Sequence, residues 1–302
     1  MSRDDRIDVE EREIALTNLD RVLWPSTGTT KRDLIRYYAD VAGVMVPHLR
    51  GRPLMLGRWP YGVEGRGFGQ LECRGRPDWL ASFALRLRDG RRLEVCVVND
   101  APSLVWLANQ GVVELHPYLA RAQAFDAPSA VVFDLDPGAP AGLRECARLA
   151  LALRELLSSL GLRGYAKLTG GSGLHVFVPL NAADARYDET KAFAREIAAR
   201  LVRADPDVAT DRISRAARAG KVFIDWAQND ERKQTIAPYS LRATRRPEIS
   251  APLTWDEIDR LAEGETLGAL GPNDVLTRVR ALGDPFADVA TLRQSLPSLA
   301  RI

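Results

Sequence analysis

The sequence has little cysteine, little histidine and no long apolar run, and each shortage narrows what the chain can be. Its three cysteines, Cys73, Cys96 and Cys146, are odd in number, far apart and without a CxxC pair. That argues against a disulfide scaffold and a structural zinc site, and makes a reducing compartment the expectation. The three histidines, His48, His116 and His175, lack the spacing of a metal-binding pair. No apolar stretch approaches the roughly 20 residues that span a bilayer, and the opening MSRDDRIDVEERE is too charged for a signal peptide. Charge of one sign is not in excess either. With 42 Lys and Arg against 40 Asp and Glu the net charge is +2, so any basic surface must come from segregation of charges. A soluble cytoplasmic protein with no membrane partner is expected.

What is present is an ordinary globular composition, 46% hydrophobic and 27% charged over 302 residues, enough for one large domain or two lobes. The first dozen residues are polar and expected to fray. Thr30, with Asp33 three residues on, reads as the N-cap of a helix carrying Leu34, Tyr37 and Tyr38. His48 reads as a surface or helix-end residue. Short apolar runs such as LEVCVVND and VVELHPYL alternate with turns through residues 52–125. The second half is more regular. AVVFDLD is a predicted strand ending at Pro137-Gly138, and Leu143, Cys146, Leu149, Leu153, Leu156 and Leu160 form a helical stripe. KLTGGSGLHVFVPL reads as strand, glycine turn, strand; a helix follows around 188–203; KVFIDWA is another strand; TIAPYSLRA is extended; and Thr254 with Glu257 caps a further helix. The pattern is α+β.

Asp134 and Asp136 stand two apart in an apolar strand, so their side chains share a face. Paired carboxylates repel, and a divalent metal removes that cost; oxygen donors alone suit Mg²⁺ or Mn²⁺. An exposed strand face or turn caps before Pro137-Gly138 would account for the pair equally simply. Asp225, an isolated acid in Val222-Phe223-Ile224-Asp225-Trp226, changes the weighing. Three acids on one sheet face could hold two metals for in-line phosphoryl or nucleotidyl transfer. The turn Thr169-Gly170-Gly171-Ser172-Gly173-Leu174-His175 offers backbone N–H groups, two hydroxyls and an imidazole to a phosphate, although such a turn is usually only a hairpin. It is neither a Walker motif nor a GxGxxG fingerprint. Arg212, Arg215, Arg218 and Lys221 precede Asp225, and Lys233, Arg242, Arg245 and Arg246 follow it, ready to meet polyphosphate charge. His116, alone, reads as a satisfied core histidine.

Taken together, LTNLDRVLWPSTGTTKRDLIRYY, GRPLMLGRWPYG, VVFDLDPG, TGGSGLHVFVPL, RAGKVFIDWAQN and TIAPYSLRA resemble the polymerase domain of bacterial ATP-dependent DNA ligase D and its stand-alone relatives, within the archaeo-eukaryotic primase superfamily. The resemblance runs in order over nearly the whole chain. It implies a primase-like fold with central mixed or antiparallel sheets flanked by helices and the active site on a sheet face. It implies one domain over 1–302, divisible into an N-terminal lobe 14–125 and a catalytic lobe 126–302. No ligase or nuclease segment follows, so a free-standing member is expected.

The activity implied is template-dependent addition of NTPs or dNTPs to DNA 3′ ends in break repair or short-gap filling, with two Mn²⁺ or Mg²⁺ ions. Asp134, Asp136 and Asp225 would be the catalytic metal ligands. Thr169, Ser172 and His175 would hold the triphosphate, with His116, Arg218, Lys221, Gln228 and Arg242 nearby. Arg21 and Lys31 would bind a downstream 5′-phosphate, with Arg58 and Phe68 on the template. Gapped or broken DNA is the implied partner, and a separate ligase and Ku are further candidates, on the bacterial nucleoid. Two departures stand out: Phe68 is followed by Gly69 where a second aromatic is common, and Gly57 replaces a frequent Lys before Arg58. The weighed alternatives are a non-catalytic module gripping 5′-phosphorylated breaks and a haloacid-dehalogenase-type phosphatase, the latter disfavoured because Pro137-Gly138 follows the D-x-D pair.

Overall fold

A computed structural model describes residues 5–182 and 184–298. Its centre is a six-stranded mixed sheet, in the order Ala209–Thr210, Val222–Asp225, Ala130–Pro137, Leu174–Pro179, Tyr165–Leu168 and Pro252–Leu253. Only the first pair is parallel; the other neighbours run antiparallel. Residues 130–137 form the longest strand, and alternation sorts them by face. Val131, Phe133 and Leu135 enter the main core with Cys146, Leu149 and Leu153 of the helix Leu143–Ser159. Ala130 and Val132 lie on the opposite face, packed with Leu119, Phe177, Phe286 and Val289, and Asp134 and Asp136 continue that face. The helix Tyr187–Ala204 follows the glycine-turn hairpin.

A three-stranded antiparallel sheet, in the order Phe68–Gln70, Leu54–Arg58 and Val112–Pro117, builds the N-terminal part. Beside it run the helices Lys31–Leu49 and Ala101–Asn109. The first starts where the sequence says it should, because Thr30 and Asp33 close a reciprocal capping box. Its buried face is largely apolar, and two tyrosines tie it to a distant strand and a distant turn: Tyr38 donates to the Val113 carbonyl (2.6 Å) and Tyr37 to the Tyr239 carbonyl (2.8 Å). One hydrophobic cluster runs from Ile14 to Val275. Among the described residues no helix is long and apolar enough to cross a membrane.

Three expectations need correction. Asp5–Val9 pairs with Arg12–Leu16 as a hairpin, so most of the first dozen residues are ordered; residues 1–4 lie outside the described residues. His48 is at a helix end but buried, its Nε2 2.8 Å from Asp284 Oδ2. Cys73 and Cys96 form a disulfide across 23 residues. The backbone N–H of Cys73 donates to the Glu94 carbonyl, and this edge pairing closes a separation that looks large along the chain. Only Cys146 is free, and it is buried.

Candidate active site on the sheet face

Strand register assembles a lateral row of side chains across four strands. Lys167 stands opposite His175, His175 opposite Asp134, and Asp134 opposite Asp225. Directly opposed residues in antiparallel strands project to the same face, so the row lies on one side of the sheet. Asp136 extends it by one step along the central strand, opposite Phe223. The two acids two apart and the lone acid of the neighbouring strand are therefore adjacent, as the sequence predicts.

Each member is held. His175 Nε2 lies 3.2 Å from Asp134 Oδ1, and the Gln228 amide reaches Asp134 Oδ2 at 3.4 Å. Arg218 stacks 3.6 Å from the centre of the Phe223 ring, with Nη1 3.8 Å from Asp136 Oδ2. Asp225 Oδ1 accepts from the Ala227 N–H at 3.0 Å. Among the described residues no three His, Cys, Asp or Glu side chains are already closed into a metal-ligand group. Asp136 and Asp225 are instead engaged with Arg218 and the Ala227 backbone.

The electrostatics follow from crowding. Burial, then the Asp134 charge, pushes the Asp136 carboxyl up to about 6, and the same two causes raise Asp225. Burial also works to raise Asp134, but His175 and Gln228 outweigh it and leave its carboxyl low. Burial and the neighbouring Lys167 lower His175. Lys167 is fully buried; burial and Arg242 depress its amine strongly, and it donates to Ser250 Oγ at 2.6 Å.

The glycine turn closes the hairpin that carries Lys167 and His175. Thr169 Oγ1 donates to the Gly173 carbonyl at 3.2 Å, and Ser172 is exposed on the turn. Gly170 has φ +72°, and a Cβ there would meet Arg242 Cγ at 2.5 Å, so the turn conformation and the close seating of Arg242 both require glycine. Arg242 Nε lies 3.3 Å from Glu114 Oε1, whose partner oxygen is 2.9 Å from His116 Nε2. His116 is thus linked through Glu114 to Arg242, and so to the turn. Gly138 is a second required glycine: a Cβ would stand 1.9 Å from the Arg218 carbonyl oxygen. The Pro137-Gly138 turn thereby seats the loop that carries Arg218. Lys221 is directed to the Pro206 carbonyl at 2.5 Å, not to the carboxylates.

Nine buried side-chain N or O atoms lack a hydrogen-bond partner among the described residues, and five are here: Asp134 Oδ1, His175 Nδ1, Arg218 Nε, Gln228 Oε1 and Arg242 Nε. Buried polar atoms are ordinarily satisfied. Two of the five already face an ion-pair partner, Asp134 Oδ1 that of His175 and Arg242 Nε that of Glu114; the other three, His175 Nδ1, Arg218 Nε and Gln228 Oε1, leave bonding capacity for a ligand around this row of charged residues. Sequence reasoning missed Lys167 and Glu114. Lys167 is a lone cation in an apolar strand, and Glu114 stands two residues before His116, the same spacing that singles out Asp134 and Asp136.

The remaining candidates form a separate cationic group. Lys31 Nζ is bound to the Thr17 carbonyl and hydroxyl, Arg21 Nη1 to the Pro60 carbonyl at 2.7 Å, and Arg58 to the Gln110 carbonyl and Gln70. Burial, then Arg21 and Arg58, lowers the Lys31 amine to about 8. Phe68 is 45% exposed with the Arg58 guanidinium 5.6 Å from its ring centre. Of the two departures in the sequence, Gly57 has a packing basis and Gly69 only a mild one. A Cβ at Gly57 would meet both Glu114 Cβ and the Trp59 ring at 2.9 Å, and one at Gly69 would meet Met55 Sδ at 3.2 Å.

The α+β architecture, with this site on an open sheet face, is that of a primase-polymerase. The model of the "LigD, primase-polymerase domain" family matches residues 30–286. The multifunctional non-homologous end joining DNA repair protein LigD of Mycobacterium tuberculosis is 38% identical over 283 residues, covering 91% of this chain and 36% of that protein. The bifunctional LigD of Bacillus subtilis is 30% identical over 275 residues, covering 91% and 44%. The solved polymerase domain of Mycobacterium tuberculosis ligase D, in complex with DNA, superposes with a TM-score of 0.86 at 37% identity, covering 93% of this chain and 99% of that one. The chain belongs to the LigD primase-polymerase domain family, a nucleotidyltransferase class. It spans little more than a third of the length of the mycobacterial LigD it matches.

Proposed function

We propose that this chain adds nucleotides to DNA 3′ ends at breaks or short gaps, directed by the template strand, with two divalent ions, Mg²⁺ or Mn²⁺. The observation that carries this reading is the Lys167–His175–Asp134–Asp225 row with its open polar atoms. The residues fit a divalent ion: Asp134 Oδ1 is buried with only the His175 imidazole facing it, and the adjacent carboxyls are raised by burial and then by the Asp134 charge, both of which a cation would offset. Asp134, Asp136 and Asp225 would hold the ions. When bound, such ions supply activation of the primer hydroxyl and neutralisation of the triphosphate.

The chain's own groups do the positioning. Thr169, Ser172 and the turn backbone cradle the phosphates. His175 and Gln228 fix Asp134, while Arg218 offers an unpartnered Nε–H, and Arg242, ion-paired with Glu114, its remaining charge, to the negative charge that grows on the leaving oxygens. Holding both reactants in line makes the step effectively unimolecular. In this reading residues 126–302 form the catalytic lobe and 14–125 the DNA-handling lobe. Arg21 and Lys31 take a downstream 5′-phosphate there, and Arg58 and Phe68 take the template strand. The biological substrate is nucleoid DNA in the cytoplasm, with a ligase and Ku as candidate partners.

The test is extension of labelled primers on gapped, nicked and overhanging DNAs, with ribo- and deoxynucleotides, in Mg²⁺ and in Mn²⁺. Templated addition that requires a divalent ion and is greatest on 5′-phosphorylated gaps is expected. Tight DNA binding with no addition under any of these conditions would overturn the reading in favour of a non-catalytic end-binding module.

A further inference from the structure

Tyr61 is the most exposed large hydrophobic residue described, at 82%. It sits in the turn Trp59-Pro60-Tyr61-Gly62, whose backbone is fixed: Gly62 N–H donates to the Trp59 carbonyl and Val63 N–H to the Leu23 carbonyl. The ring is therefore displayed from a rigid support. Arg21 braces it, with its guanidinium carbon 5.6 Å from the ring centre while Nη1 holds the Pro60 carbonyl. The same arrangement recurs at Arg58 and Phe68. Lys31 is near enough to both arginines that, after burial, their charges lower its amine. Among the described residues none of Arg21, Lys31 and Arg58 has a carboxylate within ion-pair distance. The result is an uncompensated cationic group flanked by two exposed rings, each overlaid by one of its arginines. Neither ring contributes to the core, so folding alone explains neither.

We propose that Tyr61 is a base-stacking platform for the nucleotide whose 5′-phosphate is held by Arg21 and Lys31. This rests on the proposed function of that cationic group and adds to it: the cations read the phosphate, and the tyrosine reads the presence of a terminal base. A phosphate is recognised by charge, whereas an aromatic face recognises any nucleobase through stacking. Gly69 presents no ring beside Phe68, so Tyr61 supplies the second platform on this surface from a different segment. A strand bearing both a 5′-phosphate and an unpaired or end-stacked base would be held at two points, which fixes its direction as well as its position.

The experiment measures equilibrium binding, without nucleotide, of the full chain to two DNAs: a gap whose downstream strand begins with 5′-phosphorylated 2-aminopurine, and the same primer–template lacking the downstream strand. For the wild type, binding of the gap should quench 2-aminopurine, and removal of the phosphate should weaken it. Tyr61→Ala should cut the gap-over-open affinity ratio about 10-fold, the scale of one lost stacked base, and abolish the quenching. Tyr61→Phe and Tyr61→Trp should retain both. An unchanged ratio in Tyr61→Ala, or an equal loss on both DNAs, overturns the platform while leaving the phosphate site standing. A wild type indifferent to the phosphate overturns the phosphate site and the platform with it.

Discussion

Asp225 faces Asp134 directly across an antiparallel ladder, while Asp136 leans toward Arg218 at 3.8 Å. The carboxylates are thus brought together by backbone hydrogen bonds, and repulsion among them is borne by the sheet. Asp225→Asn and Asp134→Asn should each lower templated addition by about 10²–10³-fold or more, the scale of losing a preorganised electrostatic contact. DNA affinity should change little. Single-turnover extension and filter binding together check this; near-normal rates in either variant would refute the assignment.

Asp136→Asn should be inactive yet more stable. The wild-type carboxyl is pushed up to about 6 by partial burial and then by the Asp134 charge, so its ionised form opposes folding. Because the side chain is about half exposed, at 49%, solvent screening limits the gain from neutralising it to about 1 kcal/mol. Thermal melts in chelator at neutral pH should show a higher Tm than wild type; a lower Tm would mean Arg218 contributes more than the repulsion costs.

Binding of a 5′-phosphate should depend on the charge of Lys31. Its amine, lowered to about 8 by burial and by Arg21 and Arg58, is protonated below that pH and neutral above it. The phosphate is already a dianion above about pH 6. Preference for phosphorylated over unphosphorylated gaps should therefore be flat from pH 6.5 to 7.5 and fall as pH rises through 8. Lys31→Ala should lower the plateau and flatten the profile. A preference that grows with pH would be inconsistent with this lysine as the contact.

Gly138→Ala should uncouple the Arg218 loop. Its methyl would stand 1.9 Å from a backbone oxygen, so the chain must shift, at a cost of about 1–3 kcal/mol. Chemical denaturation should report that loss, and the KM for nucleotide should rise because Arg218 moves. An unchanged midpoint would show that the turn yields freely.

Lys167→Met keeps the buried stem and removes the charge. Burying an amine without a paired carboxylate is costly, so this variant should match or exceed wild-type stability, whereas Lys167→Ala should lose about 2–4 kcal/mol by leaving a cavity. Both should bind nucleotide more weakly, since the row then lacks its amine donor. Normal nucleotide affinity in Lys167→Met would assign the lysine to packing alone.

Much of this was legible in the sequence because it rests on local rules. The capping boxes at Thr30 and Thr254, the D-x-D strand, and the strand–glycine–strand hairpin before His175 are spacing patterns, and all are present. Lys167 escaped because it gains meaning only through His175 on another strand, and Glu114 because its spacing from His116 points to the site only once Arg242 of another strand meets it. The Cys73–Cys96 link escaped for the same reason, being made by a pairing at the edge of a hairpin. Tyr61 carried no signal, since exposure of one aromatic depends on how its turn is seated.

The Cys73–Cys96 link also alters how the folded chain meets reagents. With those sulfurs joined and Cys146 buried behind the Asp134 strand, its thiol directed at the Leu135 carbonyl, no sulfhydryl is presented to solvent. Alkylation therefore has nothing to modify until the helix Leu143–Ser159 lifts from the sheet, so its rate times the opening of the very layer that supports the carboxylates.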